Sequence, residues 1–217
     1  MYDAVNDPYC YVGTKVLKNR ANIRRVKELR QFELAMTTQR FDEPLPAGRF
    51  SVSHYCTVHH HLFQDVYSWA GKFRSVRISR NKSAFCYPEN IAKEMRTLFA
   101  NLRKRNFLRD LSQKEFAVRA AHFLAELNAI HAFRDGNGRA QLAFVIMLAD
   151  RAGHPVNLAK LRPVKFLEAM VASFFGNRRR HGRLHRRAFA GEDHQPNLWG
   201  SALQRPDEIS ITTDTSI

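Results

Sequence analysis

Residues 139–152 constrain the fold more than any other part of the chain. Ala140, Leu142, Ala143, Phe144, Val145, Ile146, Met147, Leu148 and Ala149 follow one another here with Gln141 as the only polar interruption. At about 100° per residue they point in every direction round a helix. A helix that is apolar on all sides is stable only when other elements cover it, so the remaining segments must pack around this one. Gly153 ends it and Pro155 prevents a restart. The run is too short to cross a bilayer, which takes about 20 apolar residues.

The other segments read as helices to be wrapped around that centre. Apolar residues recur near helical spacing over residues 16–37, 53–69, 88–103, 112–130 and 163–175. Residues 72–86 break the pattern. Phe73, Ser75 and Arg77 alternate with Arg74, Val76 and Ile78, and a polar tip of Ser79, Arg80, Asn81 and Lys82 precedes Ala84, Phe85 and Cys86. This predicts a β-hairpin in an all-α protein. With 217 residues, 44% of them hydrophobic, one helical domain over residues 1–176 is expected. A basic and then polar, weakly ordered tail is expected over residues 177–217.

The net charge of +15 suits anionic partners such as nucleotides, nucleic acid or acidic surfaces. Part of it belongs to residues 178–187, which hold six arginines. Without interleaved aromatics, that stretch suits at most a non-specific nucleic-acid contact. Cys10, Cys56 and Cys86 are odd in number and widely spaced, against a disulfide scaffold or a structural zinc site. No signal peptide or membrane span is read, so a cytoplasmic location is expected, or secretion as an effector. His59, His60 and His61 are consecutive on an expected helix and point about 100° apart, so core and surface roles are expected rather than a shared metal.

The chemistry concentrates at residues 131–139, His-Ala-Phe-Arg-Asp-Gly-Asn-Gly-Arg, between one helix and the start of the buried one. Gly136 and Gly138 let the backbone approach a ligand closely, and the first-turn amides and helix dipole face any phosphate placed there. Asn137 adds a neutral donor and Arg139 a charged fork. Asp135 supplies a hard carboxylate suited to magnesium bridging phosphates. His131 stands at the mouth of the loop, able to take a proton from a hydroxyl near neutral pH. Phe133, apolar between polar neighbours, reads as an anchor into the core.

This segment closely resembles the signature of the Fic family, His-x-Phe-x-Asp/Glu-Gly-Asn-Gly-Arg-x-x-Arg. The similarity extends to residues 7–19, to residues 61–71, to Glu126-Leu-Asn, and to residues 74–79 with Phe85 and Ile91, covering residues 7–176 in all. The resemblance implies a Fic-type helical domain with a hairpin flap, and a protein adenylyltransferase that moves AMP from ATP to a protein hydroxyl with release of pyrophosphate. His131 would be the base and Asp135 the Mg2+ ligand. Gly136, Asn137 and Gly138 would form the anion hole, and Arg139 would grip the phosphates. Ile78, Ser79, Arg80 and Asn81 of the flap would line the nucleotide and pair with the target segment, and Phe166 would border the adenine.

Two residues depart from the family's usual pattern: Ala132 stands at the first x, where proline is usual, and Leu142 stands for the signature's second arginine, which in the family meets the terminal phosphate. The second departure keeps open a Fic enzyme with altered phosphate-group transfer, or a catalytically weak binding module. The implied partner is a target protein bearing a Ser, Thr or Tyr hydroxyl. Fic enzymes are often restrained by a helix carrying Ser/Thr-x-x-x-Glu-Gly/Asn, and no glutamate here has Ser or Thr four residues before it. Inhibition is therefore expected from a separate small antitoxin protein.

Overall fold

The computed structural model describes residues 7–80 and 83–156. The chain divides into two units, Met1–Leu161 and Arg162–Ile217, and every described residue lies in the first. The expected helix over 163–175, the domain edge at 176 and the basic tail lie outside the described residues.

The described residues form five α-helices, α1 (Val26–Asp42), α2 (Val52–Phe63), α3 (Pro88–Lys104), α4 (Gln113–Ile130) and α5 (Asn137–Arg151), with a short 3-10 turn at Asn106–Leu108 between α3 and α4. Two short strands, β1 (Ser79–Arg80) and β2 (Ser83–Ala84), pair antiparallel with Ser79 opposite Ala84. As its sequence demands, α5 is central. It packs on α2 and α4, while α1 lies against α2 and α3 against α4. Ala140, Ala143, Phe144 and Leu148 of α5 have no measurable exposure. Phe144 meets Tyr55 of α2 and Phe99 of α3, with ring centroids 5.4 and 5.5 Å apart. Among the described residues no helix is long and apolar enough to cross a membrane.

The helix starts follow from local chemistry. Pro88 occupies the first turn of α3, where its missing N–H costs nothing. Ser112 and Glu115 form a reciprocal capping box on α4, the Ser112 hydroxyl accepting from the Glu115 N–H and the Glu115 carboxylate from the Ser112 N–H.

Three segments differ from expectation. The helix predicted from residue 16 begins only at Val26. Val16 and Leu17 are buried, but Leu17 bridges to Cys10 in an extended pairing. The Asn19 side chain then closes a loop, donating to the Leu17 and Ile23 carbonyls at 3.0 and 2.7 Å and accepting from the Ile23 N–H at 2.8 Å. Such a side chain offers the backbone partners that a helix would otherwise supply. Helix α2 stops at Phe63 rather than Trp69, and Val66, Tyr67 and Trp69 reach the core from turns. The hairpin is shorter than expected: at its start the Arg74 N–H turns to the motif loop, donating to the Ala132 carbonyl at 2.9 Å, and Ile78 keeps a bond from the Phe85 N–H just outside the strands.

Candidate active site

The motif loop hangs between the C-terminus of α4 and the N-terminus of α5 and is anchored by Phe133, which is wholly buried. The Phe133 ring stacks on His59 of α2 at 3.8 Å, and His59 stacks on Phe63 at 4.7 Å. His59 also fixes the backbone. Its Nδ1 accepts from the Gly71 N–H at 2.9 Å, so the ring proton sits on Nε2, which donates to the Asp135 carbonyl at 3.0 Å. His59 thus has a core role and His60 is exposed, as expected. His61 bonds the Arg40 carbonyl through Nε2 at 2.8 Å.

Burial pushes the His59 imidazole down to about 3, with the nearby positive charges of Arg139 and His60 adding to it against the Asp135 hydrogen bond. In the unfolded chain the ring titrates near 6.5. Below that pH the unfolded state binds a proton that the folded state refuses, so stability is full above about 6.5 and is lost as pH falls toward 3. Each pH unit in that window removes up to about 1.4 kcal/mol. Urea unfolding at pH 7.5 and 5 should give a larger acid loss for the parent than for His59→Gln, and equal losses would remove His59 as the source.

His131 caps the end of α4 in the left-handed region, with φ 50° and ψ 60°. It is 5% exposed. The ring stacks on Phe85 just beyond the hairpin at 4.0 Å. Its Nδ1 lies 3.3 Å from the Asn128 carbonyl. A carbonyl only accepts, so Nδ1 carries the proton and Nε2 is the basic atom of the neutral ring.

Helix α5 starts with no side-chain cap, which leaves its first-turn amides directed along the helix axis as an anion-binding end. Gly136 precedes it at φ 78°, and any Cβ there would overlap the Phe63 ring. The Gly136 N–H donates to Asp135 Oδ1 at 2.6 Å, so a carboxylate already sits at this end. Asn137 differs from expectation. Its side-chain amide is turned back on the loop, Oδ1 accepting from the Phe133 N–H at 3.0 Å and Nδ2 donating to the Phe133 carbonyl at 2.9 Å. It clasps the loop, and its backbone N–H remains the group facing the helix end.

Arg139 is aimed by α1 and α2. Its guanidinium donates to Glu33 and, at 3.1 Å, to Thr37 Oγ1, and lies 4.6 Å over the Phe63 ring. Glu33 also accepts from the Tyr67 hydroxyl. Arg134, inside the motif, makes a buried ion pair with Asp7 at 2.6 Å. Leu142 is buried, 7% exposed, and contributes no charge, so the fork at the helix end is Arg139 alone among the signature positions. Of the flap residues, Ile78 is buried and its carbonyl accepts from the Phe85 N–H, while Ser79 and Arg80 form β1. Asn81 and Phe166 lie outside the described residues.

Glu33, Thr37, His59, Arg74 and Arg134 have supporting places that the motif does not announce. Only Arg74 carried a signal, since the alternation in residues 73–78 groups it with Val76 and Ile78 on one face.

Residues 49–149 match the model of the Fic/DOC family. The chain is 50% identical to the probable protein adenylyltransferase y4lH of Sinorhizobium fredii, over 81% of this chain and 92% of that one. It is 34% identical to the protein adenylyltransferase VbhT of Bartonella schoenbuchensis, over 81% of this chain and 37% of VbhT. Among solved structures, BepC of Bartonella tribocorum with bound AMPPNP superposes with a TM-score of 0.69 at 30% identity, covering 78% of this chain and 90% of that one. With the signature loop seated at the head of the central helix, the chain belongs to the Fic/DOC family.

Proposed function

We propose that the protein is a protein adenylyltransferase: a hydroxyl of a target protein attacks the α-phosphorus of ATP, giving an AMP-protein and pyrophosphate. The observation that carries this is the contact of His131 Nδ1 with the Asn128 carbonyl at 3.3 Å, which assigns the ring proton to Nδ1. It places the basic Nε2 on a ring held at the mouth of a loop that opens onto the N-terminus of α5. His131 takes the hydroxyl proton. The backbone amides of residues 136–138 and the Arg139 guanidinium hold the phosphates where negative charge is redistributed, so catalysis rests on positioning and charge stabilisation. The names of y4lH and VbhT and the AMPPNP bound to BepC support the same reading.

Asp135 fits a magnesium site of the kind completed by substrate. It is the one carboxylate within the loop, it is partly exposed, and no group of three or more metal-binding side chains exists among the described residues. Magnesium is commonly held by one or two carboxylates plus phosphate oxygens and water. When bound, the ion would neutralise phosphate charge. The hairpin at β1 and β2 offers an edge for the target segment carrying the Ser, Thr or Tyr hydroxyl. A separate small antitoxin protein is the proposed restraint, and delivery as an effector is compatible with this architecture.

The test uses ATP labelled at the α or the γ position with magnesium present. Label should transfer from the α position alone. Asp135→Ala should lower transfer by about 10–100-fold, the effect of losing a charged ligand, and chelator should do the same to the parent. Transfer from the γ position would mean phosphoryl transfer, the alternative that Leu142 leaves open, and transfer of neither label would leave a binding module.

A further inference from the structure

Arg74 is buried, 2% exposed, and lies outside the signature. Its guanidinium spans two parts of the site. Nε donates to the His131 carbonyl at 2.8 Å and Nη2 to the Ile130 carbonyl at 3.3 Å, both at the C-terminus of α4. Nη1 donates to the Val76 carbonyl at 2.7 Å and Nη2 to the Cys86 carbonyl at 2.5 Å, on the two sides of the hairpin. Its backbone N–H donates to Ala132, the residue after His131, and the Cys86 N–H donates to Ala129 in the last turn of α4.

His131 sits in a backbone conformation that a residue with a Cβ adopts only when its surroundings over-determine it. The last carbonyls of a helix also lack intrahelical partners. Arg74 meets both needs. It satisfies terminal carbonyls of α4, places a positive charge at the negative end of that helix, and clamps the carbonyl of the left-handed residue itself. The same guanidinium holds the hairpin, whose following residue Phe85 stacks on the His131 ring. A planar fork with five donors can hold four carbonyls at once, and a lysine ammonium on a flexible stem cannot reproduce that span.

We infer that Arg74 is a positioning residue that aims His131 and couples the hairpin to it. One guanidinium sets both the tilt of the basic ring and the edge against which a target hydroxyl is presented. The inference rests on the proposed role of His131 as base, and its test has an arm independent of transfer.

Arg74→Lys keeps the charge and removes the fork. In the folded variant, AMP transfer from α-labelled ATP should show kcat lowered by about 10–100-fold and KM for ATP within about threefold, because the phosphate-binding amides and Arg139 are untouched. Nitrogen-resolved NMR of the His131 ring should show the Nδ1–H form, dominant in the parent, mixed with the other tautomer in the variant. A folded variant with unchanged ring signals and unchanged kcat overturns the inference. Should the parent transfer no AMP, the adenylyltransferase reading fails while the ring signals still decide the role of Arg74. Where the lysine variant does not fold, the parent protein decides: a coupling across the hydrogen bond from Arg74 Nε to the His131 carbonyl carbon supports the clamp, and its absence refutes it.

Discussion

Replacing His131 with alanine should slow AMP transfer by about 10²–10⁴-fold, the usual contribution of a general base, while ATP affinity stays within about threefold. The two quantities separate because they rest on different groups. In the proposed mechanism, nucleotide capture rests on the amides at the head of α5 and on Arg139, which is aimed by Glu33 and Thr37 from α1. The His131 ring, by contrast, is seated against Phe85 and the end of α4. In the same mechanism, proton removal falls to Nε2, since the Asn128 carbonyl accepts from Nδ1. His131→Asn is the better-behaved companion, because asparagine tolerates the left-handed backbone and brings no basic nitrogen. Equilibrium ATP binding and single-turnover transfer, measured on both variants and the parent, separate the effects. Transfer near the parent rate in either variant would remove His131 as the base.

Gly136→Ala should damage stability and phosphate binding together. The residue sits at φ 78°, and an added Cβ would overlap the buried Phe63 ring. The backbone conformation costs a non-glycine residue about 1–3 kcal/mol, and overpacking a close-packed site costs a similar amount. Typical total stability is about 5–15 kcal/mol. The clash cannot relax freely, because Phe63 stacks on His59, which holds the Asp135 carbonyl, and also lies under the Arg139 guanidinium. Moving the ring therefore moves the loop and the fork with it. Urea unfolding should register the loss. Adding Phe63→Leu should recover the steric part and leave the backbone part, and a Gly136→Ala variant as stable as the parent would refute both.

What the sequence disclosed divides along physical lines. Helices α3, α4 and α5 were legible because their signals are local: Pro88 in the first turn, an apolar stripe from Phe116 to Leu127, and the apolar run from Leu142 to Ala149 with Gly153 closing the helix. The N-terminal part of the expected first helix was not. Val16 and Leu17 are buried as a helical stripe would predict, but Asn19 folds the segment through side-chain bonds that periodicity cannot register. At the site, the roles of Phe133 as anchor and of the loop as the entry to α5 followed from residue type and place. The inward turn of Asn137 did not, because an amide side chain serves a phosphate or a backbone equally well until its neighbours are known. Glu33 and Thr37 were invisible for a different reason: nothing near them in the chain marks them as partners of Arg139.

That separation has a consequence for how the protein is made. Arg139 finds Thr37 and Glu33 across 102 and 106 positions, and Arg134 finds Asp7 across 127. A ribosome delivers the chain N-terminus first, at about 5–20 residues per second. Asp7 and Glu33 therefore wait several seconds for cations that have not yet been synthesised. A nascent chain extending through α4 already holds His131's helix and the acidic partners, yet it has no guanidinium fork and no helix head to receive a triphosphate. On the proposed function, nucleotide capture would arise only late in synthesis, after the helices that enclose the site exist.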